Sequence, residues 1–420
     1  MQNINVSSEI GRLRKVLVHC PDRGIDRISP RRAEELLFDD IVYLEKMQEE
    51  HAIFTDVLKA FLGADNVLET ENLILEGLYA NPKRKQRLID AIATFEELPD
   101  VHKTLMENLP NEELKEVLIS GYCPSTDEIL FDPIPNFIFT RDIAVMINDY
   151  ALLTKPSKTA RQRENYLTRF IFWEHPLFKT LQDDTKIINL NKINRFPPSR
   201  TGEPVSVEGG DVMIINKDYL LIGCSERTTA RGIELLTAEL FKHNIVKNVV
   251  RINIPNERYC MHIDTIFTQI NHNHIVGFAP LVMDGLGSYV TVHRHTGASK
   301  EYPTIQEFFL HEINDKMEFI ACGGGVWPHA EREQWTDGCN LVALRPGIAL
   351  TYDRNIMTSE TLKKYGYTIV HAEKLLRDIK SGKVVADEMQ NTIIMLPSSE
   401  LSRARGGSHC MTCPIVRDEI

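Results

Sequence analysis

The sequence predicts an α/β fold in which modules of two strands and a helix repeat around a pseudo-symmetry axis, with an all-helical segment inserted. Hairpins of apolar strands recur at four places beyond residue 130, and at least three of them are followed by a helical pattern. Residues 72–124 contain helical patterns but no good strand. The length of 420 residues alone suits two or three domains, or one large domain that carries such an insertion, and the repeated modules favour the single domain.

The first predicted elements are a strand and a helix. Polar and apolar residues alternate over residues 11–19 and stop before Pro21, a pattern typical of a strand. From Pro30 to about Gly63, apolar residues recur at steps of three and four, which predicts a helix. Helical patterns separated by prolines then fill the inserted segment at residues 83–95, 100–109 and 111–119.

Each of the four hairpins is preceded by a polar side chain. These residues are Asp142, Asp211, Asp264 and Asn340, at spacings of 69, 53 and 76 residues. Helical patterns follow at residues 159–173, 228–241 and 359–365, the last closed by Gly366 as a C-cap. If the modules pack around one axis, the four polar side chains converge on it, and we expect the functional site there.

Composition and charge exclude several classes of protein. Lys and Arg number 48 against 59 Asp and Glu, so the net charge of −11 argues against a nucleic-acid or anionic-membrane partner and leaves a small cationic ligand open. No apolar run approaches the ~20 residues that span a bilayer, and residues 1–8 lack the apolar core of a secretory signal. With only eight cysteines, we expect free thiols and a cytoplasmic location.

Four segments carry the candidate chemistry, and each has a simpler interpretation when taken alone. They are Pro135–Asp142, Val207–Asp211, Met261–Asp264 and Arg403–Pro414. A carboxylate before a strand is usually a turn or cap residue, and Glu-Gly-Gly-Asp resembles a tight turn whose glycines have positive φ. Cys410 and Cys413 have the spacing of half a zinc site or a redox dithiol, but no second ligand pair and no thioredoxin-like pattern accompanies them.

Together, the four segments contain what one reaction requires. A cysteine nucleophile must be a thiolate, and a nearby imidazolium lowers its pKa from ~8.5. A histidine held by a carboxylate can protonate a leaving group and then take a proton from water. The segments contain more carboxylates than the histidine requires, which favours a cationic substrate. Two carboxylates can bind a planar guanidinium through paired hydrogen bonds.

Over almost its whole length, the sequence resembles the arginine deiminases of the guanidine-modifying superfamily. The resemblance rests on the four segments above and on Ser8–Lys15, Leu36–Asp40, Ser225–Thr228 and Arg332–Gly338, in that order. It implies a five-bladed α/β propeller of ββαβ modules, one catalytic domain over residues 1–420 with the helical insertion at 72–124. It also implies hydrolysis of L-arginine to L-citrulline and ammonia, the first step of arginine catabolism, by a homo-oligomer without cofactor or metal.

The resemblance implies a role for each reacting group. Cys410 would attack the guanidinium carbon, expel ammonia and keep an S-alkylthiouronium. His262 would protonate the departing ammonia and then activate water, while Glu208 orients the imidazole. Asp142 and Asp264 would bind the guanidinium nitrogens.

Further residues are expected to hold the rest of the substrate. Asn136, Arg227 and Arg161 would bind the α-carboxylate, with Arg163 as an alternative to Arg161. Phe139 would line the aliphatic channel.

Other residues are expected to shape the pocket. Asp211 would be its fourth carboxylate, and Arg405 would lie on a mobile loop that opens and closes it. Ala404 stands in this loop where many family members have glycine, a replacement tolerated only if φ is negative. Cys413 has no matched role and is expected to be structural.

Alternatives of two kinds stay open. An agmatine deiminase, a dimethylarginine hydrolase or an amidinotransferase would use the same cysteine, histidine and glutamate, and only the carboxylate-binding residues separate these enzymes. Outside the superfamily, the chain would be a non-catalytic scaffold or a zinc protein that uses Cys410, Cys413, His409 and His262. The resting state of Cys410 is also open between thiol and thiolate.

Overall fold

The computed structural model describes residues 4–420, so the first three residues of the segment searched for a secretory signal lie outside it. Its strands form five sheets of three or more strands and one two-stranded hairpin. In the first sheet, Leu13–Val18 is central, with Val67–Glu69 parallel on one side and Cys413–Arg417 antiparallel on the other. Segments from both ends of the sequence therefore meet in one sheet.

The other four sheets share one pattern, a hairpin whose second strand pairs in parallel with a third. The hairpins are Ala144–Ile147 with Tyr150–Leu153, Val212–Asn216 with Tyr219–Cys224, Phe267–Asn271 with His274–Gly277, and Val342–Arg345 with Ile348–Tyr352. The third strands are, in the same order, Ile187–Asn189, Asn248–Asn253, Glu318–Ala321 and Thr392–Leu396. Tyr289–Arg294, Ser299–Tyr302 and Thr368–His371 extend two of these sheets. The four predicted hairpins are confirmed.

The first sheet repeats this pattern when Cys413–Arg417 is taken as its first strand. Cys410 then stands just before the first strand of a fifth module, as the four polar residues do in the others. The hairpin search missed this module because its two paired strands come from opposite ends of the sequence.

Within residues 4–420, thirteen α-helices connect and cover the sheets. They are Leu44–Leu62, Thr70–Ala80, Pro82–Phe95, Asp100–Asn108, Asn111–Ser120, Gln162–Glu174, Lys179–Asp183, Ala230–Lys242, Ala279–Val282, Ile305–Phe308, His329–Trp335, Ile356–Lys364 and Ala372–Lys380. Between residues 70 and 120 the helices follow one another without a strand, and a short hairpin of Tyr122–Cys123 with Glu128–Ile129 comes next. No helix among residues 4–420 is long and apolar enough to cross a bilayer.

The helix predicted from Pro30 to Gly63 is wrong in its first half, since it begins only at Leu44. Residues 30–43 make turns, and Leu37 has a φ of 66°, which interrupts any right-handed helix. Leu36 and Phe38 are nonetheless buried. The helix-like spacing of apolar residues therefore reflects burial of an irregular segment, which borders the candidate site.

Side chains at the starts of the modules join neighbouring modules by hydrogen bonds. The Gly210 N–H donates to Asp142 Oδ1 over 2.9 Å. In the same way, the Ile263 N–H donates to Asp211 Oδ1 over 3.0 Å. Each carboxylate thus binds the backbone of the next module along the chain.

The remaining links close these contacts into a ring. Asn340 Nδ2 donates to the Asp264 carbonyl over 3.0 Å, and Asn340 Oδ1 accepts from the backbone N–H groups of His409 and Cys410, both over 3.1 Å. The Arg141 N–H then donates to the Cys410 carbonyl over 3.0 Å. The polar residues that precede the hairpins therefore lie together, as their repeated positions predict.

Candidate active site

A closed cavity lies beside this ring. Nine of the eleven predicted site residues line it, namely Asn136, Phe139, Asp142, Arg161, Glu208, Arg227, His262, Arg405 and Cys410. Its free volume is about 20 Å³, room for about one water molecule. An amino-acid substrate therefore enters only after side chains at the cavity move.

His262 and Glu208 form a buried pair in the cavity wall. His262 Nε2 lies 2.9 Å from Glu208 Oε2, while the Ser157 N–H donates to Glu208 Oε1 over 3.0 Å. Burial alone would lower the pKa of His262, but the charge of Asp142 and the hydrogen bond to Glu208 raise it to about 10. His262 is therefore an imidazolium at neutral pH, ready to donate a proton.

Arg161 binds carboxylates of the site itself. Its Nη1 donates to Asp142 Oδ2 over 2.5 Å, and its Nε and Nη2 donate to Glu164 over 2.9–3.1 Å. Arg163 points elsewhere, to the carbonyls of Leu118 and Ile119. Of the two arginines, Arg161 is the one at the cavity, where its charge is matched by the site's carboxylates.

The Cys410 thiol is held among acidic groups. Asn340 Nδ2 donates to Sγ over 3.2 Å, and Sγ lies 3.5 Å from Asp264 Oδ2. Burial raises the pKa of Cys410 well above its usual range, and the carboxylates of Asp264, Asp142 and Asp337 raise it further. The geometry therefore favours a resting thiol over a resting thiolate.

Asp264 and Asp211 do not line the cavity. Asp264 Oδ2 faces Cys410 and His409, whereas Asp264 Oδ1 is buried without a hydrogen-bond partner. Asp211 accepts from Ser225 Oγ over 2.6 Å and from the Ile263 N–H, so both of its oxygens are engaged in the scaffold. Asp211 therefore fixes the segment that carries His262, a different role from the predicted one.

The two glycines of Glu-Gly-Gly-Asp are required by close packing and not by backbone angle, since neither has a positive φ. A Cβ on Gly209 would lie 1.9 Å from the Arg141 carbonyl oxygen. A Cβ on Gly210 would lie 2.5 Å from His262 Nδ1 and 3.1 Å from Asp264 Oδ1. The interpretation as a turn with positive φ is wrong, and Asp264 Oδ1 faces the same space as His262.

The loop before Cys410 is anchored at its base and strained near its tip. The buried Glu50 carboxylate accepts from the backbone N–H groups of residues 399, 400 and 401, each over 2.9 Å. Ala404 ends a short helix and has no positive φ, which meets the condition for its replacing glycine. Arg405 has a φ of 63°, and its guanidinium carbon lies 3.3 Å from the centre of the Trp335 ring.

Arg227 and Arg258 stand between this cavity and a larger outer one of about 910 Å³. Arg227 is buried, and its Nε has no hydrogen-bond partner. Arg258 pairs with Asp39 over 2.9 Å and donates to the Leu37 carbonyl. Arg227 therefore has capacity for an anionic group that enters from the outer cavity.

Sequence reasoning did not identify Arg258, Leu37 or Met261 as lining residues. Leu36–Asp40 carries family resemblance, which was the available signal for Leu37 and for the Asp39 partner of Arg258. Met261 lies in the segment of His262, but no pattern distinguishes a lining methionine from a core one.

Among residues 4–420, one buried group has the residue types and spacing of a metal site, formed by Asp142, Glu208 and His262. The Arg161 guanidinium lies 2.5 Å from Asp142 and 3.8 Å from Glu208, so these carboxylates already face a cation. The zinc set that includes Cys413 is not brought together, because Cys413 Sγ donates to the Ala144 carbonyl instead.

Comparisons with known proteins match the sequence over nearly its whole length. The sequence matches the family described as arginine deiminase over residues 34–123 and 104–417. It is 32% identical to an arginine deiminase of Borrelia garinii subsp. bavariensis, covering 99% of this chain and 98% of the relative. An arginine deiminase of Borreliella afzelii has the same identity and the same coverage.

Solved structures share the fold at much lower identity. DDAH (dimethylarginine dimethylaminohydrolase) from Pseudomonas aeruginosa, complexed with citrulline, is 14% identical with a TM-score of 0.50, over 96% of this chain and 99% of that one. The product-bound N-terminal domain of a cyanobacterial arginine dihydrolase is 12% identical with a TM-score of 0.51, over 96% and 97%. The mixed α/β fold and the full-length sequence matches together show that the chain belongs to the arginine deiminase family.

Proposed function

We propose that the protein hydrolyses L-arginine to L-citrulline and ammonia through a covalent intermediate on Cys410. The observation that carries this proposal is one cavity lined by a thiol, an imidazolium paired with a carboxylate, and the Asp142 carboxylate, with Asp264, whose Oδ1 is unpartnered, next to the thiol. Family membership supports the same reaction. The residues assigned below rest on the contacts of this chain.

The guanidinium of the substrate binds between Asp142 and Asp264. Asp264 Oδ1 has no partner, so it can accept from an incoming N–H without breaking another bond. Asp142 Oδ2 holds Arg161 before the substrate arrives, and the substrate guanidinium takes that place. The Nη1 of Arg161 is then free to join Arg227 and Asn136 at the α-carboxylate, while its Nε and Nη2 stay bonded to Glu164.

Binding of the cation prepares the nucleophile. Two of the carboxylates that raise the pKa of Cys410, Asp142 and Asp264, become paired with the guanidinium, so the thiol releases its proton to solvent. The thiolate attacks the guanidinium carbon and forms a tetrahedral adduct. The His262 imidazolium protonates one nitrogen, ammonia leaves, and the S-alkylthiouronium remains on Cys410.

Hydrolysis reverses these roles. His262, now neutral, takes a proton from water as the water oxygen attacks the thiouronium carbon. The new adduct collapses as the carbon–sulfur bond breaks, its hydroxyl proton passes to the departing sulfur, and citrulline leaves with Cys410 restored as the thiol. Glu208 holds the imidazole through both steps and stabilises its charged form.

Incubation with L-arginine and detection of citrulline tests the proposal, with Cys410→Ser beside the wild type. Cys413→Ser is the matched control, because Cys413 is also buried but bonds to the Ala144 carbonyl and does not line the cavity. We expect citrulline from the wild type and the control, and none from Cys410→Ser. A wild type that forms no citrulline, or an active Cys410→Ser, would refute the proposal.

The architecture and assembly belong to the same proposal. The five sheets, each with an antiparallel pair of strands and a parallel third strand, support a five-bladed propeller whose blades meet at the ring. The helices between residues 70 and 120 support a helical insertion within one catalytic domain. The homo-oligomer and the cytoplasmic location remain predictions from sequence.

A further inference from the structure

We propose that His409 is a positioning residue that holds Asp264 for guanidinium binding and is itself held by Glu9. This inference rests on the function proposed above. Arg141 contacts Glu9, Glu9 contacts His409, and His409 contacts Asp264. Asp264 in turn lies beside the nucleophile, which follows His409 in sequence. Neither Glu9 nor His409 lines the cavity.

His409 lies between two buried carboxylates. Its Nδ1 is 2.9 Å from Asp264 Oδ2, and its Nε2 is 3.3 Å from Glu9 Oε2. The pKa of Glu9 and that of Asp264 are both lowered, since charged hydrogen-bond partners outweigh their burial. Each ring nitrogen of His409 therefore faces one carboxylate, and the ring joins Asp264 to Glu9.

The contact with His409 determines which oxygen of Asp264 is available. Asp264 Oδ2 faces His409 Nδ1 and the Cys410 sulfur, while Oδ1 is buried and unpartnered. Oδ1 lies on the side of His262, because a Cβ on Gly210 would be 2.5 Å from His262 Nδ1 and 3.1 Å from Asp264 Oδ1. The contact with His409 thus fixes one oxygen and leaves the other on the side of His262.

Glu9 sets the far end of the chain of contacts. Its Oε1 accepts from Arg141 Nη2 over 2.6 Å and from the Ile214 N–H over 3.1 Å. Its Oε2 accepts from Arg141 Nη1 over 3.4 Å and lies 3.3 Å from His409 Nε2. The ion pair between Arg141 and Glu9 balances the charge of the buried Glu9 carboxylate, so Glu9 is a fixed partner for His409. A fixed His409 holds Asp264 Oδ2 without drawing the free oxygen of Asp264 away from the substrate.

Two substitutions at His409 separate the contacts. The amide nitrogen of His409→Asn takes the place of Nδ1 and retains the bond to Asp264, whereas that of His409→Gln takes the place of Nε2 and reaches toward Glu9. We expect kcat/KM for L-arginine to fall roughly ten- to hundredfold further in His409→Gln than in His409→Asn. We also expect His409→Gln to raise KM, because the misplaced Asp264 binds the guanidinium less well.

Thermal unfolding of both variants distinguishes positioning from a purely structural role. Equal melting temperatures with unequal kcat/KM support the inference, and equal kcat/KM in the two variants overturns it. Should neither variant fold, Glu9→Gln tests the far end, and wild-type kcat/KM in that variant would also overturn it. Wild-type protein that forms no citrulline instead refutes the proposed function, so the two failures are distinguishable.

Discussion

Gly210 lies so close to His262 that a Cβ at this glycine would be 2.5 Å from the imidazole Nδ1. We therefore expect Gly210→Ala to push the imidazole out of line with Glu208 and the substrate. The side chain can yield, so the protein should fold, while kcat falls by at least about a hundredfold. Citrulline formation and circular dichroism measured together check this.

Gly209→Ala gives the contrasting case. Its Cβ would lie 1.9 Å from the backbone carbonyl oxygen of Arg141, which cannot move without shifting a module. We expect this variant to lose stability as well as activity. A stable and active Gly209→Ala, or a Gly210→Ala with normal kcat, would contradict the packing argument.

Arg227 is expected to decide between arginine and its decarboxylated analogue agmatine. Removing its charge in Arg227→Ala leaves the α-carboxylate with one cation fewer, so kcat/KM for L-arginine should fall by about a hundredfold. Turnover of agmatine should change little. Arg231→Ala is the matched control, because Arg231 pairs with Glu234 and does not line either cavity. Unchanged arginine turnover in Arg227→Ala would favour an agmatine deiminase.

The resting state of Cys410 can be read from ultraviolet absorbance of the thiolate. Burial and nearby carboxylates raise the pKa of Cys410, so we expect no thiolate signal from it in the free protein at pH 8. The difference spectrum between wild type and Cys410→Ser isolates this thiol. A thiolate signal at neutral pH without substrate would show a preformed nucleophile.

The raised pKa of His19 predicts how the free energy of unfolding depends on pH. Burial would lower its pKa, but hydrogen bonds to Asp22 and Glu69 raise it to about 10, above the unfolded value of 6.5. The contribution of His19 to the free energy of unfolding is therefore complete below pH 6.5. It is lost as pH rises through about 10, by up to about 1.4 kcal/mol per pH unit. Urea unfolding across this range should show a weaker decline in His19→Gln. Parallel curves for the two proteins would contradict the assignment.

Local patterns were enough to predict four of the five modules. Hairpins such as Val212–Asn216 with Tyr219–Cys224 use residues close in sequence, so turn signals and apolar runs reveal them. Leu13–Val18 and Cys413–Arg417 pair across nearly the whole chain, and no local pattern records such a pairing. The helix prediction over residues 30–43 is wrong for another reason. The apolar residues of this segment are buried against the site, and their spacing resembles that of a helix.

The residues that form the site could be predicted from the sequence better than the contacts between them. Repeated positions before hairpins and the family resemblance identified Asp142, His262 and Cys410, which line one cavity. Asp211 shares the repeated position but binds Ser225 and the Ile263 backbone, a difference that depends on which way the carboxylate turns. The role proposed for His409 depends on its contact with Glu9, which lies about 400 residues away in sequence. This contact exists only in the folded chain.

The ring of hydrogen bonds makes catalytic activity depend on every module being folded. Asp142 and Asn340 each bind a neighbouring module through the same side chains that border the nucleophile, so no module can open while the site stays assembled. Partial unfolding of any one module must then abolish turnover as completely as global unfolding does. Loss of activity in denaturant should coincide with the first structural transition of the protein, wherever in the chain that transition begins.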